Sequence, residues 1–465
     1  MPSFKRFVPA YRGLALLLPL ALVGCDVNRG EPLEIEWDDE ELAFEQWEEF
    51  EVGPPTFDEL PDPPAMPAAP LEAEGVHFPD GLSTEDLARG RIALFDGQTF
   101  FGWSVDGGEA SVARPEMKLH DKDDSGCAAG AEFRMPLAAG TVHIETWHPV
   151  DGEVWASFAD GWVVGDRDYP FLPGKPAETV DQWTPGQFGL NPPPANPESL
   201  EGADITGYFA PAILGIRGND GTAARYIEFL PDTELLSIDS FTPVDGSEAT
   251  VTRDGPELHL TGGPGFLRSE QQYGDFVLQC EVKCNSKDSN SGIFFRTIEP
   301  TADAPSNGYE MQLQNTLGPG GRTDPDDYQD GFGTGGIFRR QPARYINAND
   351  GEWFHVTLFC VGNRMATWVN GLQVTDFTDE RDLDPNPRKG RRDDAGYIVL
   401  QGHDPTTDVS FRNFRIQSLD PVSDADALEA ESADPAEPGA IEEAAVEAAA
   451  ATDEAADEAA ETVAD

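Results

Sequence analysis

The stretch YEMQLQN, residues 309–315, sets Glu310, Gln312 and Gln314 two positions apart. Alternate side chains of a strand point to opposite faces, so these three share one face while Tyr309, Met311 and Leu313 share the other. A carboxylate beside two amides is a set that can move a proton and hydrogen-bond hydroxyl groups. Nearby runs offer partners. SGIFFRT (291–297) carries Arg296 off the apolar alternation of Ile293 and Phe295, with Asn290 just before it. YIVLQGH (397–403) sets Gln401 and His403 on one face, and FRNFRI (411–416) brings Arg412 and Asn413. Trp368 or Trp353 supplies a ring on which a sugar can stack. Each has a plainer reading when taken alone: a polar strand face is commonly just solvated, an arginine pairs with an acid, and a loop histidine is structural. Together they point to a neutral, hydroxyl-rich ligand.

The elements that must position these residues are strands. Alternating or aromatic-rich runs recur between Gly, Asp, Asn and Pro: TVHIETWHP, DFVLQCEVKC, WFHVTLFCV and ATWVNGLQVTDF among them. Long amphipathic helices are missing from the pattern. Many short strands joined by turns predict an all-β chain of sandwich or jelly-roll type. In WVNGLQV the pair Asn370-Gly371 predicts a two-residue hairpin turn. VDGGEASVAR (105–114) is echoed by VDGSEATVTR (244–253), a repeat that predicts two sandwiches in tandem at 91–233 and 234–419. The second is complete; the first lacks an NSGIFFR-like strand and a YExQ-like strand.

The flanks differ in kind. Lys5, Arg6 and Arg12 precede an apolar run that ends in LVGC, so residues 1–25 resemble a bacterial lipoprotein signal with Cys25 as the lipidated residue. That places the protein in the cell envelope, lipid-anchored on the extracytoplasmic side. Residues 26–90 are acidic and Pro-rich and predict a tether; residues 420–465 are rich in Ala and Glu and predict a disordered tail. The formal net charge of −55 repels phosphate backbones and argues against nucleic acid as a partner. Cys280 and Cys284 lie about 13 Å apart on one strand and cannot bridge each other, whereas either can pair with Cys360 or stay a buried thiol. No cofactor is implied; the acidic loop TDPDDYQD (323–330) could hold Ca²⁺ through oxygen ligands but lacks any standard spacing.

The stretches GPGFLRSEQQYGDFVLQCEVKCNSKDSNSGIFFR, GYEMQLQN, GTGGIFRRQPARYINANDGEWFHVTLFCVGNRMATWVNGLQVTDFTDER and GYIVLQGHDPTTDVSFRNFRI resemble the bacterial 3-keto-disaccharide hydrolase domain. That family is frequent in secreted planctomycete and Bacteroidetes proteins, which suits a bacterial lipoprotein of planctomycete type. LFDGQTFFGW (94–103) resembles the family's opening, so the first domain looks like a divergent copy. The resemblance implies a concanavalin-like or laminin-G-like jelly roll that acts on glycosides oxidised at C3. A C3 ketone acidifies the C2 proton, so a base can remove it and the C1 oxygen can leave. The site then needs a base, a stabiliser for the enolate and an acid for the leaving group. The candidates are Glu310 or His403 as base or acid and Arg296 as enolate partner. Asn290, Gln312, Gln401, Arg412 and Trp368 are the candidate sugar contacts. The competing reading is a lipoprotein whose sandwiches bind carbohydrate without cleaving it.

Overall fold

The computed structural model describes residues 75–419, apart from 107, 122–128, 148–151, 159–182, 192–207, 210, 219–220, 288, 300–306 and 329–330. Cys25, Cys127, the expected tether up to residue 74 and the expected tail 420–465 lie outside the described residues.

The described chain is almost entirely β and forms two sandwiches. The first runs β1 (Ile92–Ala93), β2 (Trp103–Asp106), β3 (Gly108–Ala113), β4 (Glu116–Asp121), β5 (Ala129–Phe133), β6 (Gly140–Trp147), β7 (Gly152–Phe158), β8 (Thr184–Asn191), β9 (Tyr208–Phe209), β10 (Ala212–Gly218) and β11 (Ala223–Pro231). The second runs β12 (Glu234–Leu235), β13 (Phe241–Pro243), β14 (Thr250–Asp254), β15 (Glu257–Thr261), β16 (Gly265–Tyr273), β17 (Phe276–Cys284), β18 (Ser291–Thr297) and β19 (Tyr309–Leu313). It continues with β20 (Phe354–Val361), β21 (Arg364–Val369), β22 (Leu372–Thr378), β23 (Gly396–Gly402) and β24 (Asp408–Ser418).

Sheet order shows that the repeat in the sequence is a repeat in topology. The larger sheets run β3-β4-β11-β6-β8-β9, with β1 on β11, and β14-β15-β24-β17-β20-β21-β22, with β12 on β24. The smaller sheets run β2-β5-β10-β7 and β13-β16-β23-β18-β19. Each decapeptide repeat thus leads into the edge hairpin of a larger sheet. In the first copy β7 takes the place of β18 in the sheet. Its sequence, GEVWASF, shares the geometry but not the residues. A counterpart of β19 is absent among the described residues, and β19 is the strand that carries Glu310 and Gln312.

The core of the second sandwich follows from period 2. Ile293 and Phe295 of β18, Tyr309, Met311 and Leu313 of β19, and Leu278, Cys280 and Val282 of β17 all point between the sheets and are buried. The three cysteines at 280, 284 and 360 are buried thiols. Burial pushes Cys284 up to about 12, which keeps it an unreactive thiol. Asn370 and Gly371 both take positive φ, 50° and 77°, the geometry of the expected hairpin turn.

The outer face of the eight-stranded sheet is where the first domain docks. Val277, Phe359, Ala366 and Trp368 form one apolar cluster with Phe133, Phe229 and Ile92 of the first sandwich. Buried polar contacts fix the register of this docking. Arg344 meets Asp96 at 2.8 Å and Thr99 Oγ1 at 2.9 Å, and Gln279 Nε2 donates to the Gly90 carbonyl at 2.7 Å. Residues 75–90, expected to close the tether, instead form a strap against the second domain. Asn347 exchanges two hydrogen bonds with the His77 backbone, and Tyr345 donates its hydroxyl to the Gly75 carbonyl. A short helix, α1 (Thr84–Ala88), follows, capped by Ser83 and Asp86 in a reciprocal box. The strap escapes a compositional reading because its few apolar residues, Leu82 and Leu87, find their partner in a distant hairpin at Gly371.

Candidate functional site

Strand register gathers the expected residues on the outer face of the five-stranded sheet. Phe266 pairs with Gln401, Gln401 lies one step past the Leu400–Ile293 pair and so faces Gly292, and Gly292 pairs with Gln312. The next row along the strands is Arg268, Val399, Phe294 and Glu310. The floor therefore has an apolar half, where Phe266 and Phe294 meet edge to face at 6.3 Å, and a polar half of Gln401, Gln312 and Glu310.

Gly292 is what lets these polar side chains lie over the sheet. A Cβ at that position would fall 2.6 Å from Glu310 Oε1, so the carboxylate occupies the space a larger residue would fill. Gln312 donates from Nε2 to Asn290 Oδ1 at 2.7 Å, which fixes both amides. Thr407 Oγ1 ties the next row together by donating to the Asn290 carbonyl at 2.7 Å and accepting from the His403 amide at 3.0 Å. Gln401 Oε1 and both amide atoms of Gln314 are buried without a hydrogen-bond partner. An orphaned buried amide costs free energy unless something pairs with it, so such groups mark places prepared for a ligand or water.

Glu310 is 7% exposed and opens onto a cleft of about 50 Å³ lined by Gly308, Phe338, Arg339, Arg340, Pro387 and Arg388. The segment after β19 builds one wall by pairing along that strand's free edge. Gln312 N donates to the Gly336 carbonyl at 2.8 Å and Phe338 N to the Glu310 carbonyl at 2.9 Å. Burial pushes Arg340 down to about 10, with Arg381 adding to the effect. Burial also lowers Arg388, while the nearby Glu310 carboxylate works against that shift. Arg388 interacts with the nearly buried Glu310 carboxylate while Arg339 and Arg340 line the same cleft, which makes it locally cationic in a chain of net charge −55. A sugar ring exceeds the present cleft, so seating one requires the exposed Arg339 side chain to move.

His403 sits just past the end of β23 and is 45% exposed, with Nδ1 2.7 Å from Asp404 Oδ2. Burial raises the Asp404 carboxyl, but hydrogen bonds from Thr406 and His403 outweigh it and hold it below the ordinary range. The Asp404 partner fixes the ring and leaves Nε2 outward. His403 stands two strands across and four residues along from Glu310, roughly 16 Å apart by strand spacing and rise.

Three expected site residues lie elsewhere. Arg296 is fully buried and faces inward: its guanidinium donates to the carbonyls of Gly274, Gly362 and Arg392 and meets Asp275 Oδ1 at 2.6 Å. Alternation would have put it beside Phe294, but the register with β23 shifts between Phe294 and Thr297, and Arg296 takes φ 47°. That bulge turns the side chain away from the site. Trp368 is fully buried in the domain interface, with Nε1 donating to the Ala93 carbonyl at 2.8 Å, and offers no face to a sugar. Arg412 lies on the outer face of the other sheet, bonded to Glu281 at 2.7 Å and stacked 4.0 Å from the Trp353 ring.

Sequence reasoning did not pick out Arg339, Arg340 and Arg388. The available signal was local: IFRRQPAR and NPRKGRR concentrate cations in a chain with only 31 Lys and Arg. The acidic loop at 323–330 has its last two residues outside the described set. In it Asp327 accepts from the Gly320 amide at 2.7 Å, and among the described residues no three acidic, His or Cys side chains converge as metal ligands.

Residues 233–417 match the model of the 3-keto-alpha-glucoside-1,2-lyase-like domain. No curated protein matches the chain. Among solved structures, the chain is similar to a candidate glycosyl hydrolase of Parabacteroides distasonis ATCC 8503. Identity is 18% over 40% of this chain and 90% of that one, with a TM-score of 0.32. The carbohydrate binding module CBM66 of Bacillus subtilis aligns at 15% identity over 38% of this chain and 96% of its own, with a TM-score of 0.26. The beta-glucanase of Bacillus licheniformis aligns at 15% identity over 38% and 91%, also with a TM-score of 0.26.

Proposed function

We propose that the second domain cleaves 3-keto-glycosides on the outer face of its five-stranded sheet, with Glu310 as the base. The observation that carries this reading is a nearly buried carboxylate beside a row of amides, in a cleft lined with guanidiniums. The match of residues 233–417 to a 3-keto-glucoside lyase-like domain supports the same chemistry. Glu310 takes the C2 proton, and the electron pair moves into the C3 carbonyl to give an enolate. Arg388, half-buried beside Glu310, faces that developing charge, and its partial burial strengthens the attraction. The enolate then collapses, the C1–O bond breaks, and the leaving oxygen takes a proton. Water adding across the new double bond completes hydrolysis; release before that step makes the reaction a lyase.

Gln312 and Gln401 hold the hydroxyls of the oxidised ring. At roughly 16 Å from Glu310, His403 cannot serve the same ring and contacts the leaving sugar instead. The chemistry is placed in the second domain because the strand bearing Glu310 has no equivalent among the described residues of the first. Lipidation of Cys25 holds the enzyme on the extracytoplasmic side of a membrane. Labelling with a fatty acid, lost on Cys25→Ala, tests that part.

The chemistry is tested by release of nitrophenol from a nitrophenyl 3-keto-glucoside by the chain starting at residue 26. Turnover of the keto compound but not of the parent glucoside, reduced about 10²–10⁴-fold by Glu310→Gln, is the expected result. Saccharide binding without turnover by the wild-type protein would replace this reading with a non-catalytic binding module.

A further inference from the structure

A larger cavity lies on the far side of the second sandwich from Glu310, in the angle between the two domains. Its volume is about 260 Å³, which suits one pyranose ring with its hydroxyls. The floor is the outer face of the eight-stranded sheet, where register sets Glu257, Arg412, Glu281 and His355 in one row. The wall comes from the strap, through Leu87 of α1, and from the first domain, through Ile92 of β1. Leu235 of β12 lines it too and is 81% exposed, the most exposed large apolar side chain among the described residues.

Most charged side chains around this cavity are paired with one another. Glu281 accepts from Arg412 at 3.0 and 2.7 Å and from Asn413 at 2.5 Å. Burial raises its carboxyl, but those bonds outweigh the effect and hold it below the ordinary range. Arg91 lies between Asp86 at 3.2 Å and Glu228 at 3.1 Å, and Arg412 also meets Glu257 at 3.5 Å. Burial lowers the imidazole of His355 against the opposing pull of Glu281, so at neutral pH it is an uncharged donor and acceptor. Arg415 has a buried Nε without a partner. A charged ligand gains nothing from such a balance. The exposed Leu235, beside its cross-strand partner Arg415 and lining the same cavity as His355 and Asn413, supplies the mix of apolar surface and hydrogen-bonding groups that a sugar ring with its hydroxyls needs.

We infer that this interdomain cavity binds one uncharged monosaccharide unit, at a second site separate from the Glu310 cleft. Packing of the strap and the first domain on the second creates it, which gives the first copy a role. The site does not depend on the chemistry at Glu310, because the two lie on different sheets.

Saturation-transfer NMR on the chain from residue 26 tests this, with methyl α-D-glucopyranoside, methyl β-D-galactopyranoside and D-glucuronate as probes. Three proteins are compared: wild type, Glu310→Gln, and Leu235→Trp, which fills the cavity from an exposed position and leaves folding intact. The expected result is transfer to a neutral glycoside that survives Glu310→Gln and weakens about tenfold in Kd with Leu235→Trp. Transfer unaffected by Leu235→Trp, transfer lost only with Glu310→Gln, a preference for glucuronate, or no transfer from wild type to any probe would each overturn the inference. Circular dichroism of Leu235→Trp confirms that the comparison is between folded proteins.

Discussion

Gly292→Ala is the most incisive single substitution for the proposed base. The added Cβ would lie 2.6 Å from Glu310 Oε1, 2.9 Å from its Cγ and 3.2 Å from its Cδ. A carbon–oxygen contact settles at about 3.3 Å or more, so the carboxylate must retreat by roughly 0.7 Å. Misplacing a catalytic group by ~1 Å costs about 10²-fold, which predicts a loss in kcat/KM of roughly 30- to 100-fold. At 1.36 kcal/mol per decade this is about 2–3 kcal/mol of transition-state stabilisation. The backbone has no objection, since Gly292 is not among the residues with positive φ. Alanine's strand preference over glycine, about 0.5–1 kcal/mol, works against an overpacking cost of about 1–3 kcal/mol, so thermal unfolding should fall only modestly. Steady-state kinetics on a 3-keto-glucoside, paired with a melting curve, separates the two effects. Wild-type kcat/KM in a folded Gly292→Ala protein would show that the Glu310 carboxylate does not need its present position, and would remove it as the base.

Other substitutions test the placements that departed from expectation. Arg296→Met leaves Asp275 and three carbonyls without their donor and should cost about 3–5 kcal/mol in denaturant unfolding of the second domain. A mild phenotype there would show that the bulge does not depend on it. Trp368→Ala empties the centre of the domain interface and should cost about 3–5 kcal/mol, seen as proteolytic release of the first domain with kcat preserved. Glu228 is raised to about 7, chiefly by burial and against the pull of Arg91. A raised folded-state value favours the protonated form, so this contribution is complete below about pH 4.5 and lost as pH rises through 7. Glu228→Gln should therefore match wild type near pH 5 and gain on the order of 2 kcal/mol at pH 8 in urea unfolding. Equal pH dependence in the two proteins would contradict the assignment.

How much of the site could be read in the sequence depended on how local the governing physics was. Glu310, Gln312 and Gln401 fall on a shared face because period 2 holds without interruption through β19 and β23, so counting residues sufficed. The same count failed for Arg296 because one bulge shifts the register, and a bulge is set by the partner strand rather than by the residue itself. Trp368 and Arg412 were misplaced for a different reason. Alternation identifies a face but not which sheet bears it or what covers it, and the first domain covers the face bearing Trp368. The arginines around Glu310 sit 29, 30 and 78 residues downstream of it, in loops without periodicity, and reach it only through the fold.

By itself the sequence determined the all-β class, the tandem repeat, the core-facing residues of the strands and the Asn370-Gly371 turn, because these follow from side-chain alternation and local backbone preference. Tertiary structure alone decided that residues 75–90 strap onto the second domain, that Arg296 is a buried brace, and that a carboxylate comes to share a cleft with guanidiniums. It also decided that docking of the two sandwiches leaves a cavity between them. These features arise from contacts between segments far apart in the chain, and no local rule encodes which distant surface a strand face will meet.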